Sequence, residues 1–234
     1  EESSFDAWVK LYRPNENSVN TSISYYLKGG LVIMALDLTI RNLTDGQKSM
    51  DDAYRILWAR FKDDGKGIDD ATFKSICEDV AGKPLNEIWN YLSTTTPLNI
   101  GDYFEPFGVV LKSEYSKPER EKSGSFGIYI KKNTTQITTT LSTGSGYTSG
   151  LYANDEILAI NNIRVSSENM KDCMANVPIG ESADFLISRD GLIKTISVTA
   201  KSLPFDKYYI EKFEQPTPRQ KQMFEGWLKQ DWDA

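Results

Sequence analysis

The spacing of apolar residues along the chain changes once, near Phe107. From Asn20 to about Glu105 the apolar residues recur every three or four positions, which is typical of helices that bury one face. After Phe107 they alternate with polar residues in short runs such as FGIYIKK and ADFLISRD, which is typical of strands. The pattern therefore predicts an α+β protein in which a helical segment precedes a β-rich domain.

The first predicted helix runs from Ile23 to Arg41 and is apolar on nearly every side. Such a helix is usually central and packs against several others. Asn20, Thr21 and Ser22 stand just before it, and their side-chain oxygens can accept hydrogen bonds from its first free amides.

Three more helices are predicted in this segment. The second begins at Ser49, with Asp52 three residues later as a weak capping-box signal. Its predicted buried residues are Ala53, Ile56, Leu57 and Phe61. The third helix spans residues 70–81 and ends at Gly82, and the fourth starts near Pro84.

The β-rich segment contains one strong turn signal. Asp190-Gly191 lies between two alternating runs, and both residue types tolerate the positive φ angles that a tight hairpin requires. A helix is expected at residues 167–176. The last residues, after Pro216 and Pro218, are amphipathic and predict a tail helix whose apolar face packs back on the helical segment.

Composition limits the possible chemistry. The formal net charge of -6 argues against nucleic acid or an anionic membrane surface as the main partner, because both need a cationic surface. The chain has no histidine, so neither a histidine-ligated metal nor a serine–histidine pair can form within it. Cys77 and Cys173 lack CxxC spacing, and no apolar run approaches the length of a membrane span.

The segment FKDDGKGIDDATF invites comparison with a calcium-binding loop, but its spacing does not fit. With Gly67 at the central position, Lys62 occupies a ligand position and no Glu stands at the last one. No metal site is predicted in the chain. A Ser–Lys catalytic pair stays open, although no glycine-framed nucleophile turn supports it.

Short motifs in the β-rich segment occur in a characteristic order. Phe126-Gly127-Ile128 comes first, followed by SGL at 149–151, NDEILAIN at 154–161, the predicted helix and the Asp190-Gly191 hairpin. This order resembles the PDZ domain in its bacterial protease-associated form. The resemblance implies a β-barrel or sandwich domain that binds peptides or protein C-termini between a strand and a helix.

The resemblance also implies a set of peptide-binding residues. The loop at 126–128 would turn its main-chain amides toward the terminal carboxylate of a peptide, and the following strand, residues 128–132, would pair with the peptide. The expected site residues are Phe126, Gly127, Ile128, Ile130, Met170 and Met174. Cys173 and Val177 are further candidates on the same helix, and the sequence does not say which of the four helix residues face the groove.

The helical segment carries a second resemblance, through YRPNENS at 12–18, ISYYLKG at 23–29 and EPFG at 105–108. Together with the tail motif at 216–228, these segments resemble the glycyl aminopeptidases, which are zinc metallopeptidases with a PDZ domain behind a helical catalytic domain. The HExxH helix and the third, glutamate, zinc ligand of that family have no counterpart in this chain. The resemblance implies that zinc belongs to a longer, full-length protein and that the chain begins downstream of the metal site.

One catalytic residue follows from this resemblance. Related aminopeptidases place a tyrosine shortly before a Lys-Gly pair, and its hydroxyl donates a hydrogen bond to the oxyanion of the tetrahedral intermediate. Tyr26 matches that position, and Tyr25 takes the role if the register differs by one residue.

The expected organisation is a helical C-terminal part of a catalytic domain at 1–106, a PDZ domain at 107–203 and a tail helix at 204–234. The expected function is that of the C-terminal part of a zinc aminopeptidase that acts on peptides with a small or glycine N-terminal residue. The chain by itself is expected to be inactive. Its expected partners are peptides and the upstream part of its own catalytic domain, in the cytoplasm or periplasm of a prokaryote. A non-catalytic PDZ adaptor is the alternative, and a carboxy-terminal processing protease would need a catalytic domain after the PDZ module.

Overall fold

The computed structural model describes residues 5–65 and 67–234, without the side chain of Asp64. The first four residues of the predicted helical segment therefore lie outside the described part. The α-helices in the described part are α1 (Ala7–Tyr12), α2 (Ser18–Thr21), α3 (Tyr25–Leu43), α4 (Met50–Asp64), α5 (Asp70–Ala81), α6 (Asn86–Ser93), α7 (Ser145–Ser149), α8 (Met170–Ala175) and α9 (Pro218–Leu228).

The strands are short and form small sheets. They are β1 (Val109–Glu114), β2 (Gly124–Ser125), β3 (Ile128–Ile130), β4 (Ile137–Thr140), β5 (Glu156–Ile160), β6 (Ile163–Arg164), β7 (Ser182–Arg189), β8 (Leu192–Thr199), β9 (Lys201–Ser202) and β10 (Lys207–Lys212). Three two-stranded sheets pair β1 with β10, β2 with β9 and β3 with β4, and a four-stranded sheet has the order β6-β5-β7-β8.

The α+β class is confirmed, but the expected barrel is not found. Within the described residues the strands stay in separate sheets and do not close into a barrel. Strands as short as β2 and β6, with two residues each, leave too few ladder hydrogen bonds to join neighbouring sheets into a closed cylinder.

The chain divides into two compact units, and one of them consists of residues 25–112 and 208–234. Its largest core lies between helices α3 to α6, where Leu36, Ile40, Ala53, Cys77 and Ile88 are buried. A second cluster in the same unit places Met223 and Phe224 of α9 against Leu38 and Phe107. The amphipathic tail therefore forms a helix that buries its apolar face, because α3 offers an apolar surface on that side.

Helix starts in this unit follow the sequence signals. The amide of Ser49 donates to Asp52 Oδ2 at 2.8 Å and completes a capping box at the start of α4. Gly82 ends α5 in the left-handed region with φ of 70°. The predicted burial of Ala53 and Leu57 on α4 is confirmed. The predicted burial of Ile56 and Phe61 is wrong, since these residues are 45% and 49% exposed.

Helix α3 begins at Tyr25, two residues later than predicted. Together with α2 it forms a stretch, Ser18–Leu43, that is long and apolar enough to cross a membrane by length and composition alone. A mostly buried core helix passes the same test; here α3 buries Val32, Ala35 and Leu36 in the core of its unit, and 28% of the apolar window is buried. The sequence expectation missed this stretch because it counted only uninterrupted apolar runs.

The other unit consists of residues 5–24 and 113–207. Its core contains Phe126, Ile137, Ile157 and Phe185, with Met170 of α8 on the same cluster. The hairpin between β7 and β8 turns at Asp190 and Gly191, whose φ angles are 52° and 82°. The turn predicted from the sequence is confirmed, since both residues occupy the left-handed region.

A buried ion pair supports this unit. Asp155 is 1% exposed, and Arg189 donates to its two carboxylate oxygens at 2.7 Å each. Arg189 also donates to the carbonyl oxygen of Gly150, and its guanidinium group lies 4.5 Å from the centre of the Tyr152 ring. The pKa of Arg189 is raised, mainly by these hydrogen bonds to Asp155.

Candidate functional site

Strand β3 and helix α8 border a groove, which we call the β3–α8 groove. It contains two cavities of about 530 Å³ and about 460 Å³. Both cavities are lined by Ile128, Tyr129, Lys171 and Met174. The larger one continues along Ile130 and Lys131–Asn133. The groove is large enough for several residues of an extended peptide.

The main chain of β3 has one edge occupied by β4. The Gly127 carbonyl accepts from the Leu141 amide at 2.8 Å, and the Lys131 amide donates to the Gln136 carbonyl at 2.8 Å. Between them, the Tyr129 carbonyl accepts from Thr138 Oγ1 at 3.1 Å. Because main-chain polar groups alternate along a strand, those of the intervening Ile128 and Ile130 point to the opposite edge, where the groove lies.

The turn before β3 depends on glycine. Gly127 has φ of 67°, and a Cβ atom there would stand 2.6 Å from the Cα of Gly144. The loop after β4 packs on this turn, and the Gly146 amide donates to the Phe126 carbonyl at 2.7 Å. The close contact of two glycines therefore fixes the direction of the amides at 126–128.

The predicted peptide-binding residues do not all reach the groove with their side chains. Phe126 is buried and packs edge to face on Phe185, with ring centroids 4.8 Å apart, so only its main chain can serve a ligand. Met170 lines the larger cavity but is only 2% exposed, because most of it belongs to the core. Met174 is half-buried and lines both cavities.

Of the further helix candidates, Cys173 packs against the core of the unit and Val177 is buried within it. Neither residue lines either cavity. Helix α8 presents Met170, Lys171, Met174 and Ala175 to the groove. Its period of 3.6 explains why Cys173 faces elsewhere, and Val177 lies beyond the end of the helix at Ala175.

The basic residues at the groove were not predicted from the sequence. Lys131 and Lys132 follow β3, Lys171 lies on α8, and all three line the larger cavity. The sequence contained a signal, since the lysine pair directly follows the FGIYI motif. Nothing in the sequence indicated that the lysine of a separate helix lies beside it.

Tyr26 is the second residue of α3 and is 61% exposed. Its ring lies against that of Tyr25, with centroids 4.4 Å apart and planes inclined by 34°. Tyr25 is the more buried of the two. Tyr26 is therefore the more exposed of the two tyrosines at the start of the helix.

The described residues do not fit a zinc ion. The chain contains no histidine, and among the described side chains, which exclude those of residues 1–4, 64 and 66, no three of Cys, Asp or Glu come together as a possible ligand set. Cys77 is fully buried, and desolvation by burial, together with the charge of Glu78, raises its pKa to about 11. A thiol with such a pKa stays protonated and is a poor metal ligand.

Residues 1–32 match the sequence pattern of the M61 glycyl aminopeptidase family. The matched range contains both Tyr25 and Tyr26. No curated protein matches the chain.

Over nearly its whole length the chain is similar to a solved structure, the aminopeptidase N family protein from Idiomarina loihiensis. The two are 25% identical with a TM-score of 0.79, and the match covers 97% of this chain. It covers 40% of the Idiomarina protein, so the chain spans less than half of that protein's length.

Other solved structures match only in part. The serine endoprotease from Yersinia pestis is 23% identical over 36% of this chain and 30% of its own, with a TM-score of 0.33. The HtrA-type protease AlgW with a decapeptide is 17% identical over the same shares, also at a TM-score of 0.33. Similarity at this level carries no weight for fold or function.

Proposed function

We propose that the chain is the C-terminal part of a zinc-dependent aminopeptidase of the M61 glycyl aminopeptidase family, which removes small N-terminal residues such as glycine. The observation that carries the proposal is the similarity of 97% of this chain to 40% of an aminopeptidase N family protein at a TM-score of 0.79. The match of residues 1–32 to the glycyl aminopeptidases supports it from the sequence. The zinc ligands then belong to the remainder of the full-length protein.

Within this proposal, Tyr26 donates a hydrogen bond to the oxyanion that forms when water attacks the peptide carbonyl. Its ring is exposed at the first turn of α3, and it lies within the matched range. A donor of this kind acts on charge that develops only in the transition state, and its loss typically costs about 10²- to 10³-fold in rate.

The test is to measure turnover of a glycyl peptide by the full-length enzyme and by its Tyr26→Phe variant. We expect a fall in kcat of about 10²-fold or more, with zinc content and KM little changed. Tyr25→Phe is the matched control, because it removes the hydroxyl of the more buried neighbour. Equal turnover of the Tyr26→Phe variant and the parent enzyme would disprove the role, and a fall in Tyr25→Phe alone would transfer it to Tyr25.

The described residues of the chain form no zinc site, and the chain by itself is expected to be inactive. The purified chain and the full-length protein should be assayed side by side, with and without added zinc. Turnover by the 234-residue chain itself would contradict the assignment of the metal site to the remainder of the protein.

The β3–α8 groove supports a second function, the binding of peptide C-termini in the manner of a PDZ domain. The supporting observation is the edge of β3, where the main-chain groups of Ile128 and Ile130 face the groove beside the glycine-dependent turn at 126–128. A peptide added as a strand at this edge gains main-chain hydrogen bonds, and its carboxylate reaches the amides of the turn. Ile128 and Met174 supply an apolar wall for its last side chain.

Binding of a C-terminal peptide is tested with Ile128→Asp, which places a charge on the apolar wall. We expect it to abolish binding of a fluorescent peptide with an apolar last residue while the protein stays folded by circular dichroism. Ile163→Asp is the control, because Ile163 is exposed on β6 and lines neither cavity. Retained binding in Ile128→Asp would exclude this site, and a peptide amidated at its C-terminus should bind weakly if the carboxylate is recognised.

The groove would serve equally well in an adaptor that has no catalytic partner segment. The coding sequence upstream of Glu1 separates the two possibilities. An HExxH helix there supports the peptidase, whereas a start codon or signal peptide close to Glu1 supports the adaptor.

A further inference from the structure

The β3–α8 groove is positively charged on a protein that is negatively charged as a whole. Lys131, Lys132 and Lys171 line its larger cavity, and no Asp or Glu is among the described residues that line either cavity. The formal net charge of the chain is -6. None of these lysines takes part in the ion pairs found between described residues, which instead engage lysines and arginines elsewhere. Three unneutralised ammonium groups in one groove favour an acidic ligand.

The direction of a bound peptide follows from the turn at 126–128. If the terminal carboxylate lies at this turn, the preceding residues run along β3 toward Lys132, antiparallel to the strand. Strand β3 has three residues, Ile128–Ile130, which would pair with the last three residues of the peptide, and Lys131 and Lys132 follow directly after it, Lys132 in the turn that begins there. Lys131 and Lys132 then stand opposite the third and fourth residues before the last one.

The lysine side chains are concentrated toward one end of the groove. The part next to the turn is lined by the apolar Ile128, Met174 and Ala175, which suit an apolar last side chain, and also by Arg120, which pairs with Asp206 at 3.1 Å. The distant part carries the lysines. Lys171 lines both cavities and extends the cationic surface toward the middle of the peptide.

We propose that the β3–α8 groove selects peptides that end in an apolar residue and carry Asp or Glu three or four residues before it, with Lys131, Lys132 and Lys171 as the residues that read the acidic positions. This selectivity rests on the proposed binding of peptide C-termini in the same groove. The lysines are exposed, so each contributes modestly to affinity, and they act mainly by discriminating between peptides.

The experiment compares two fluorescein-labelled octapeptides that end in valine, one with Asp at the third and fourth positions before the last residue and one with Asn at both. Binding to the complete 234-residue chain is followed by fluorescence anisotropy at low and at high salt. We expect the Asp peptide to bind about fivefold to tenfold more tightly at low salt, and the difference to shrink at high salt because ions screen exposed charges.

Three variants locate the effect. The double change Lys131→Gln with Lys132→Gln should remove most of the preference for the Asp peptide, measured as the ratio of the affinities for the two peptides. Lys171→Gln should remove a further part of the preference for the Asp peptide. Lys194→Gln is the matched control, because Lys194 is exposed on β8 and lines neither cavity.

The outcomes separate this proposal from the one on which it rests. Equal binding of both peptides, or a preference that survives the double lysine change, would overturn the acidic selectivity and leave the groove as a peptide site. Binding of neither peptide would overturn peptide binding itself, and binding unaffected by Ile128→Asp would exclude this groove as the site. Preference for the Asp peptide that is lost with the lysines and kept in Lys194→Gln supports both.

Discussion

The side-chain amide of Asn20 donates a hydrogen bond to the carbonyl oxygen of Thr140 at 2.8 Å, although 120 residues separate them in sequence. The Oδ1 atom of Asn20 accepts from the amide of Ser142, also at 2.8 Å. Leu141 stands between these two bonds, and its own amide donates to the Gly127 carbonyl. Asn20 therefore holds the loop that backs the turn at 126–128. The segment that holds this loop leads directly into α3 and Tyr26.

Asn20→Ala should loosen this loop. The change removes three side-chain hydrogen bonds, these two and an exposed one to Asn17 Oδ1 at 2.9 Å, and is expected to lower the free energy of unfolding by about 1 to 2 kcal/mol. Hydrogen exchange at the Ser142 amide should become faster, because its acceptor is removed, and binding of a C-terminal peptide should weaken. Asn90→Ala, on the exposed face of α6, is the control and should change stability by a few tenths of a kcal/mol. Unchanged exchange at Ser142 would show that Asn20 does not hold the loop.

Gly127→Ala should damage both the fold and the groove. Its Cβ would stand 2.6 Å from Gly144 Cα, and φ of 67° is unfavourable for alanine. Strain and displacement together predict a loss of about 2 to 4 kcal/mol in the free energy of unfolding, measured by urea denaturation. Gly226→Ala is the contrasting change, since a Cβ there meets no atom within 4 Å and lies in a helix, where alanine stabilises. A Gly127→Ala protein as stable as the parent would contradict the packing of the two glycines.

Breaking the ion pair between Arg189 and Asp155 is expected to lower stability because it leaves the buried charge of Asp155 unpaired. Arg189→Met leaves a carboxylate that is 1% exposed without its cation, which should lower the free energy of unfolding by about 3 to 5 kcal/mol. Arg189→Lys keeps the charge but not the two parallel hydrogen bonds, and an intermediate loss is expected. Arg164→Met on the exposed strand β6 is the control. A loss below about 1 kcal/mol in Arg189→Met would show that the carboxylate gains solvent or another partner.

Glu78 gives the helical unit a pH dependence. Its Oε1 atom accepts from the Leu85 amide at 3.1 Å and from Trp89 Nε1 at 2.8 Å, and these bonds, the one from Leu85 first, lower its pKa. A carboxyl whose pKa is lower in the folded state stabilises that state above its ordinary pKa of about 4.3, and the stabilisation disappears as the pH falls through the lowered value.

The expected result is that Glu78→Gln unfolds at lower urea concentration than the parent protein at neutral pH and that the two midpoints converge in acid. Glu87→Gln, on the exposed surface of α6, is the control. A difference between Glu78→Gln and the parent protein that stays constant from neutral to acidic pH would mean that the charge of Glu78 plays no part.

Local signals in the sequence predicted local structure well. The capping box of Ser49 and Asp52, the glycine at the end of α5 and the Asp190-Gly191 hairpin each involve residues at most four positions apart, so their physics is contained in a short stretch of chain. The motif at 126–128 likewise places a glycine where the turn requires a positive φ. Tyr26 does lie at the start of a helix, but its catalytic role and the zinc site outside the chain stay predictions.

Contacts between distant residues were decided only by the tertiary structure. Nothing in the periodicity indicated that residues 5–24 belong to the same compact unit as residues 113–207, or that β1 pairs with β10. Nor did the periodicity indicate that Ile56 and Phe61, which have helical spacing, are about half exposed. Periodicity identifies one apolar face of a helix, and it does not say how wide the surface that covers this face will be.

The β3–α8 groove shows most clearly which features depend on local sequence and which depend on the tertiary structure. The sequence by itself determined a glycine turn, a short strand and a helix, since each depends on neighbouring residues. Only the fold brought Lys171 beside Lys131 and buried the ring of Phe126, and it used Asn20 to hold a loop instead of capping α3. The physical reason is that a side chain's partners across many residues are chosen by packing of the whole unit, which no short pattern records.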